Sequence, residues 1–259
     1  MAIPSKITFY DGEFTVKEKT LSPYSIRIRL LLDYKNIAYE ILWIQFPDIE
    51  ATAKAVGAPP TTMKADGTPR YTIPFITVAF PDQPAIAISD SARIAQFIEK
   101  TYPDHEDKLL PSNARIFQSM FTKYMAEKIL GSVVKITTPL VVRALPENNQ
   151  KWIIETRKSI FGKSIEEIAP QDESSIAEAW MIIEAAFDDL AAHLDTVQEG
   201  NFRITGEPSY AEFELVSVLN VVKRLSPSSW RRLEGRNGGK WAKLMDLPLY
   251  KELLPANRV

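Results

Sequence analysis

The 259-residue chain contains no cysteine. That removes disulfides, thiolate metal sites, CxxC redox chemistry and a cysteine nucleophile together, and it fits a reducing compartment. Histidine is nearly absent as well, with His105 and His193 the only two. A histidine triad or a multi-histidine metal centre would have to draw on that pair, so neither is expected, and no metal is expected. No apolar run approaches the about 20 residues of a membrane-spanning helix. Residues 1–6 lack the apolar core of a secretory signal, so the cytoplasm is the expected location. An excess of one charge is missing too: 31 Lys and Arg stand against 33 Asp and Glu, a formal net charge of −2. Nothing in that balance draws the whole chain to nucleic acid or an anionic membrane. Chemistry would have to come from hydroxyls, carboxylates, backbone dipoles or a borrowed cofactor.

What is present reads as a folded protein of two parts. Apolar residues make up 45% and charged residues 25%, ordinary for a globular chain. The first hundred residues alternate strand and helix patterns. A short β-prone run at 7–10 ends at the turn pair Asp11-Gly12. A helix is expected at 22–35, with Ile26, Leu30 and Tyr34 spaced by four. An aromatic, β-branched strand follows at 39–46, then a short helix at 49–56. Residues 58–72, rich in Pro, Thr and Gly, read as a long loop. Strands at 73–80 and 85–88 make a hairpin, and a helix at 91–102 buries Ile94, Phe97 and Ile98. The order is βαβαββα. From Pro111 onward strand signals vanish. Helices are expected at 112–130, 151–168, 174–197 and 209–225, with two shorter ones near Trp230 and Trp241. The expected division is therefore an α/β domain at 1–103 and an all-α domain at 111–259.

Three short segments are candidates for chemistry. Ser22-Pro23 opens the first helix: serine is a preferred N-cap and proline suits the first helical position. A helix mouth offers free N–H groups and partial positive charge to an anion, and a hydroxyl there can donate to a thiolate. Taken alone, Ser22 reads more readily as a plain cap, since capping serines are common. Ser25, one helical turn on, competes for the same place. Ile73-Pro74 opens a strand, where proline is tolerated because it has no N–H for the ladder; taken alone, a trans and purely structural bond is the readier reading. Asp90 and Ser91 open the next helix. There a carboxylate ligand could meet Ser91 and the first N–H groups, and an ammonium could meet Asp90. Plain capping is the competing reading.

In this order and spacing the segments resemble the glutathione transferases, and the resemblance covers nearly the whole chain. It implies a thioredoxin-like first domain, a helical second domain and glutathione as co-substrate. The run 21–29 (Leu-Ser-Pro-Tyr-Ser-Ile-Arg-Ile-Arg) is similar to the serine-type classes. Residues 43–50, followed by Gly57-Ala58-Pro59-Pro60, resemble the fungal-specific A class (FuA) and the related bacterial β-etherase-type enzymes. By this resemblance Ser22 is the catalytic hydroxyl. The Ile73 backbone, before a cis-Pro74, pairs with the cysteinyl unit, and Asp90 and Ser91 hold the γ-glutamyl head. Thr72 stands where other classes carry lysine or glutamine, so Gln45 and Lys64 become substitute glutathione contacts. Tyr24 with Phe117, Met120, Phe121 and Tyr124, on a face shared with Ile116, are candidates for the hydrophobic substrate site, against core packing as the plainer reading. Arg27 and Arg29 read as solvated helix charges. Ser209 and Glu212 stand at capping-box spacing, S-x-x-E, with Glu where the family usually has Asp. Partners implied are glutathione and a hydrophobic small molecule, in a homodimer. Ether or peroxide cleavage with glutathione as reductant is a variant of the same activity. A ligand carrier without turnover is the alternative.

Overall fold

A computed structural model describes residues 4–103 and 109–254. His105 and the two chain ends lie outside the described residues. The first part is a β-α-β crossover: β1 (Lys6–Gly12), α1 (Pro23–Tyr34) and β2 (Glu40–Ile44), with β2 parallel to β1. A 3₁₀ turn at Phe46–Asp48 leads into α2 (Ile49–Ala55). After a two-residue hairpin, β3 (Thr62–Met63) and β4 (Pro69–Arg70), come β5 (Phe75–Phe80), β6 (Gln83–Ser89) and α3 (Ser91–Thr101). The main sheet runs β2-β1-β5-β6, with β5 antiparallel to both neighbours. This is the thioredoxin-like arrangement.

Two expectations about this half change. The strand expected from residue 73 starts at Phe75, opposite Tyr10. Pro74 has no N–H for the ladder and falls outside it. The stretch 58–72 is not a featureless loop, because it folds around Asp66-Gly67. Lys64 N–H donates to the Thr68 carbonyl at 2.8 Å, and Asp66 Oδ1 accepts from Thr68 N–H and hydroxyl at 2.9 and 2.7 Å. Strands two residues long carry no readable alternation.

The second half is helical. A 3₁₀ turn at Ser112–Ala114 opens α4 (Arg115–Tyr124), a π-helical segment at Met125–Leu130 and α5 (Gly131–Arg143), in unbroken succession. The helix expected to end at 130 therefore continues. The helix expected at 151–168 is two: α6 (Glu147–Phe161) stops at Gly162, with φ 66°, and α7 (Ile165–Ile168) starts from its own Ser164–Glu167 capping box. Then follow α8 (Glu173–Asp195), α9 (Tyr210–Leu225), α10 (Pro227–Glu234), α11 (Lys240–Met245) and the unanticipated α12 (Pro248–Leu253). No helix among the described residues is long and apolar enough to cross a membrane.

α9 is the axis of the molecule. Every residue from Tyr210 to Val222 is buried, with α1 against one side and α5, α10 and α11 against others. Phe213 is sealed between Tyr34 and Tyr250, with centroids 5.8 and 6.1 Å away. α1 shares this fate: pressed between α3 and α9, it buries Ser25 to Leu32 apart from Arg29. The capping box expected at α9 is only half formed. Ser209 Oγ accepts the Glu212 N–H at 3.2 Å. The fully buried Glu212 carboxylate does not return to Ser209. It accepts from Arg203 (Nη2 2.8 Å, Nε 3.2 Å), Ile204 N–H and the Tyr250 hydroxyl. It thus ties α12 and the preceding loop to the central helix.

Candidate functional site

The site is built where β1 ends and α1 begins. Ser22 is the N-cap of α1, in extended conformation, with Pro23 after it. Its Oγ accepts the Ser25 N–H at 3.3 Å, a weak bond. Half-buried, the Ser22 hydroxyl has no acceptor for its own proton among the described residues. It is therefore free to donate outward at a helix mouth. Ser25 is not a rival for that place. It is fully buried, and its hydroxyl donates to Asp11 Oδ1 at 2.6 Å.

The Ile73–Pro74 peptide bond is cis. Among the described residues no hydrogen bond uses the Ile73 backbone, which precedes the β5 ladder. Gly12 lies against this segment. A Cβ there would stand 2.7 Å from the Phe46 ring and 2.9 Å from Ile73 Cδ1, so any side chain at this position would displace one of them.

Asp90 caps α3 at φ 75°, a conformation side chains seldom adopt. Its Oδ1 accepts from Ala92 and Arg93 N–H at 2.9 and 3.1 Å. Beside it, the Ser91 hydroxyl is buried and accepts from Arg27 Nη2 at 2.5 Å. Arg27 is thus not a solvated charge. It is 6% exposed, lies 4.6 Å from the Tyr24 ring centroid, and donates through Nη1 to Glu214 Oε1 at 2.5 Å. Glu214, on α9, also accepts from Thr122 and from Gln118. Burial pushes its carboxyl above the usual carboxylate range, against the pull of Arg27. Sequence reasoning missed this pair. The signal was there: a glutamate inside the apolar run Phe213-Glu214-Leu215-Val216 is costly unless paired.

Arg27 and Glu214 also help line a small cleft, open to solvent, between the two halves. Pro23 and Tyr24 enter it from α1, Thr122 from α4, Met125, Ala126 and Leu130 from the π-helical segment, and Ser217 and Val218 from α9. Of the expected hydrophobic-site residues only Tyr24 is in this wall. Phe117, Phe121 and Tyr124 instead stack in a ladder (centroids 5.8 and 6.2 Å), ending edge-on to His193 of α8, with the Tyr124 hydroxyl donating to Asp189. Phe121 belongs to the core, whereas Ile116, Phe117 and Met120 are exposed. The helix turns its polar Gln118 and Thr122 toward α9, so its apolar face is not the one that meets this cleft. Gln45 and Lys64 are occupied by the protein's own carboxylates, Glu13 at 2.7 Å and Glu50 at 3.6 Å. No group of three or more His, Asp or Glu among the described residues is placed to hold a metal.

Comparison with known proteins places this geometry. The family model described as "Glutathione S-transferase, N-terminal domain" matches residues 21–101, and "Glutathione S-transferase, C-terminal domain" matches residues 116–247. The structure resembles a glutathione S-transferase of Ceriporiopsis subvermispora crystallised with glutathione: TM-score 0.87, 32% identity, 96% of this chain and 98% of that one covered. It also resembles glutathione transferase GSTFuA3 of Phanerochaete chrysosporium: TM-score 0.83, 28% identity, 93% and 95% covered. In sequence it is 26% identical to the "Glutathione S-transferase-like protein ustS" of Aspergillus flavus, over 93% of this chain and 88% of that protein. The resemblance to the fungal A class is thus carried by whole structures as well as by motifs. With one family model spanning half the chain and a second covering much of the rest, the chain belongs to the glutathione S-transferase family.

Proposed function

We propose that the protein is a serine-type glutathione transferase that joins glutathione to hydrophobic, aromatic electrophiles, a detoxification chemistry. The observation that carries this is the Ser22 hydroxyl, weakly held at the mouth of α1 with its proton uncommitted. A free thiol titrates near about 8.5. A hydroxyl donor and the N–H groups of a helix mouth both favour the charged sulfur. In this reading the cysteinyl unit pairs with the free Ile73 backbone. The γ-glutamyl ammonium meets Asp90. The γ-glutamyl carboxylate accepts from Ser91, whose one hydroxyl proton is left available because Arg27 occupies a lone pair. The thiolate then attacks an electrophilic carbon held in the cleft beside Tyr24. The C–S bond forms, and the leaving group departs with its bonding pair. The thiol proton passes to solvent when the sulfur ionises, so no side-chain base is needed for the attack.

The reading assigns glutathione to the domain at 1–103 and the electrophile to the cleft that the domain at 111–259 completes. A cytoplasmic homodimer accompanies it, which sedimentation tests. Calorimetry of glutathione binding with thiolate absorbance across pH tests the core. Wild type should bind and show thiolate near neutral pH. Ser22→Ala should bind similarly and lose the thiolate, with turnover falling by about 10²-fold or more. Thiolate retained in Ser22→Ala removes the serine from the mechanism. Tight binding of apolar ligands with no turnover makes the protein a carrier.

A further inference from the structure

Asp11 closes β1 beneath the first turn of α1 and is 0% exposed. Its Oδ1 accepts from the Ser25 hydroxyl at 2.6 Å and from Gly12 N–H at 2.8 Å. Its Oδ2 is buried without a hydrogen-bond partner among the described residues. Ser25 passes the connection on, giving its N–H to Ser22 Oγ at 3.3 Å. A chain of contacts thus runs from a buried carboxyl through Ser25 to the cap at the helix mouth. The conjugation chemistry proposed above does not use this carboxyl.

Its surroundings contain one opposing charge close by, Arg29 of α1. Behind that stands Arg224 of α9, which donates to the Thr20 carbonyl and is bound to Glu18. The fully buried hydroxyls of Thr20 and Ser25 complete the surroundings. Burial pushes the Asp11 carboxyl up to about 6, against the pull of Ser25, Thr20, Arg29 and Gly12. The group therefore changes charge close to the pH range in which an activated thiol ionises. A negative charge at this place acts on the mouth from below. It takes up part of the positive field that the helix end would lend to a sulfur anion.

We propose that Asp11 is a positioning residue for thiol activation: it fixes the Ser22 turn through Ser25, and its charge sets the pH at which the bound thiolate forms. This rests on the glutathione reading above. The two ionisations oppose each other, so linkage makes the effect mutual. Thiolate formation favours the protonated carboxyl, and protonating the carboxyl favours the thiolate.

Asp11→Asn separates the two roles, since the amide carbonyl still accepts from Ser25 and Gly12 while the charge is gone. The variant should bind glutathione, and the pH midpoint of its thiolate absorbance should fall by about one unit relative to wild type. A purely structural role would leave that midpoint in place. A second measurement needs no variant: carboxyl-carbon NMR of wild-type Asp11 across pH, with glutathione and with S-methylglutathione, which cannot form a thiolate. The Asp11 midpoint should rise with the first ligand relative to the second. Equal midpoints with the two ligands, or an unmoved thiolate midpoint in Asp11→Asn, overturn the proposal while leaving the transferase reading standing. Failure of wild type to bind glutathione overturns both.

Discussion

Asp11 gives the protein an acid response opposite to that of most carboxylates. Its folded value is raised from 3.8 to about 6, so the native state holds the proton more tightly than the unfolded chain. The associated stability is complete below about pH 4 and is lost as pH rises through about 6, with a swing of about 3 kcal/mol. Urea denaturation of wild type and Asp11→Asn should show the variant's advantage at pH 7.5 shrinking toward pH 4. A difference that does not vary with pH contradicts the burial assigned to Asp11. Gly12 next to it is a second sensitive position. Gly12→Ala should cost about 1–3 kcal/mol by overpacking against Phe46 and Ile73, and should weaken glutathione binding as Ile73 is displaced, which thermal melts and calorimetry would show. Ser22 and Asp90 were legible as helix caps because capping rules act on local sequence, whereas the cis bond at Ile73-Pro74 was implied only by the family resemblance. Asp11 was not: Asp-Gly reads as a turn pair, and only the tertiary fold buries it.

At the level of elements, the long periodic helices were readable and the departures were not. The stripe Trp180, Ile183, Phe187, Leu190 and Leu194 in α8 is buried as its spacing required. The hairpin of β3 and β4 is too short to show a period, and the π-helical segment keeps helical composition while changing the winding. α9 offers a test of what its first turn contributes. Ser209→Ala should cost about 1 kcal/mol, the usual loss of a cap. Glu212→Ala should cost about 3–5 kcal/mol, because it strands Arg203 and leaves the buried Tyr250 hydroxyl without its acceptor. A capping box formed in both directions would make the two losses similar, and chemical denaturation of the two variants distinguishes the cases.

For the whole molecule, the order of an α/β half before a helical half was plain from where strand patterns stop. How the halves lock together was not, because the lock joins residues 187 positions apart. Arg27 and Glu214 pair across that distance, next to Ser91 at the start of α3 on one hand and the cleft on the other. Removing either partner alone, as Arg27→Met or Glu214→Leu, should cost about 3–5 kcal/mol by leaving a buried charge uncompensated. The double variant should cost clearly less than the sum, and a double-mutant cycle in urea checks this. Additive losses would mean that the two charges are solvated separately. The π-helical turn at Met125–Leu130 lies on the cleft side of that lock. Loss of a single codon there would return the stretch to ordinary winding and rotate α5 by about 100° against α4. Such an event would exchange the side chains that line the cleft while leaving Ser22, Ile73 and Asp90 where they are. The walls of the cleft can then change in one genetic step, while the mouth of the first helix stays as it is.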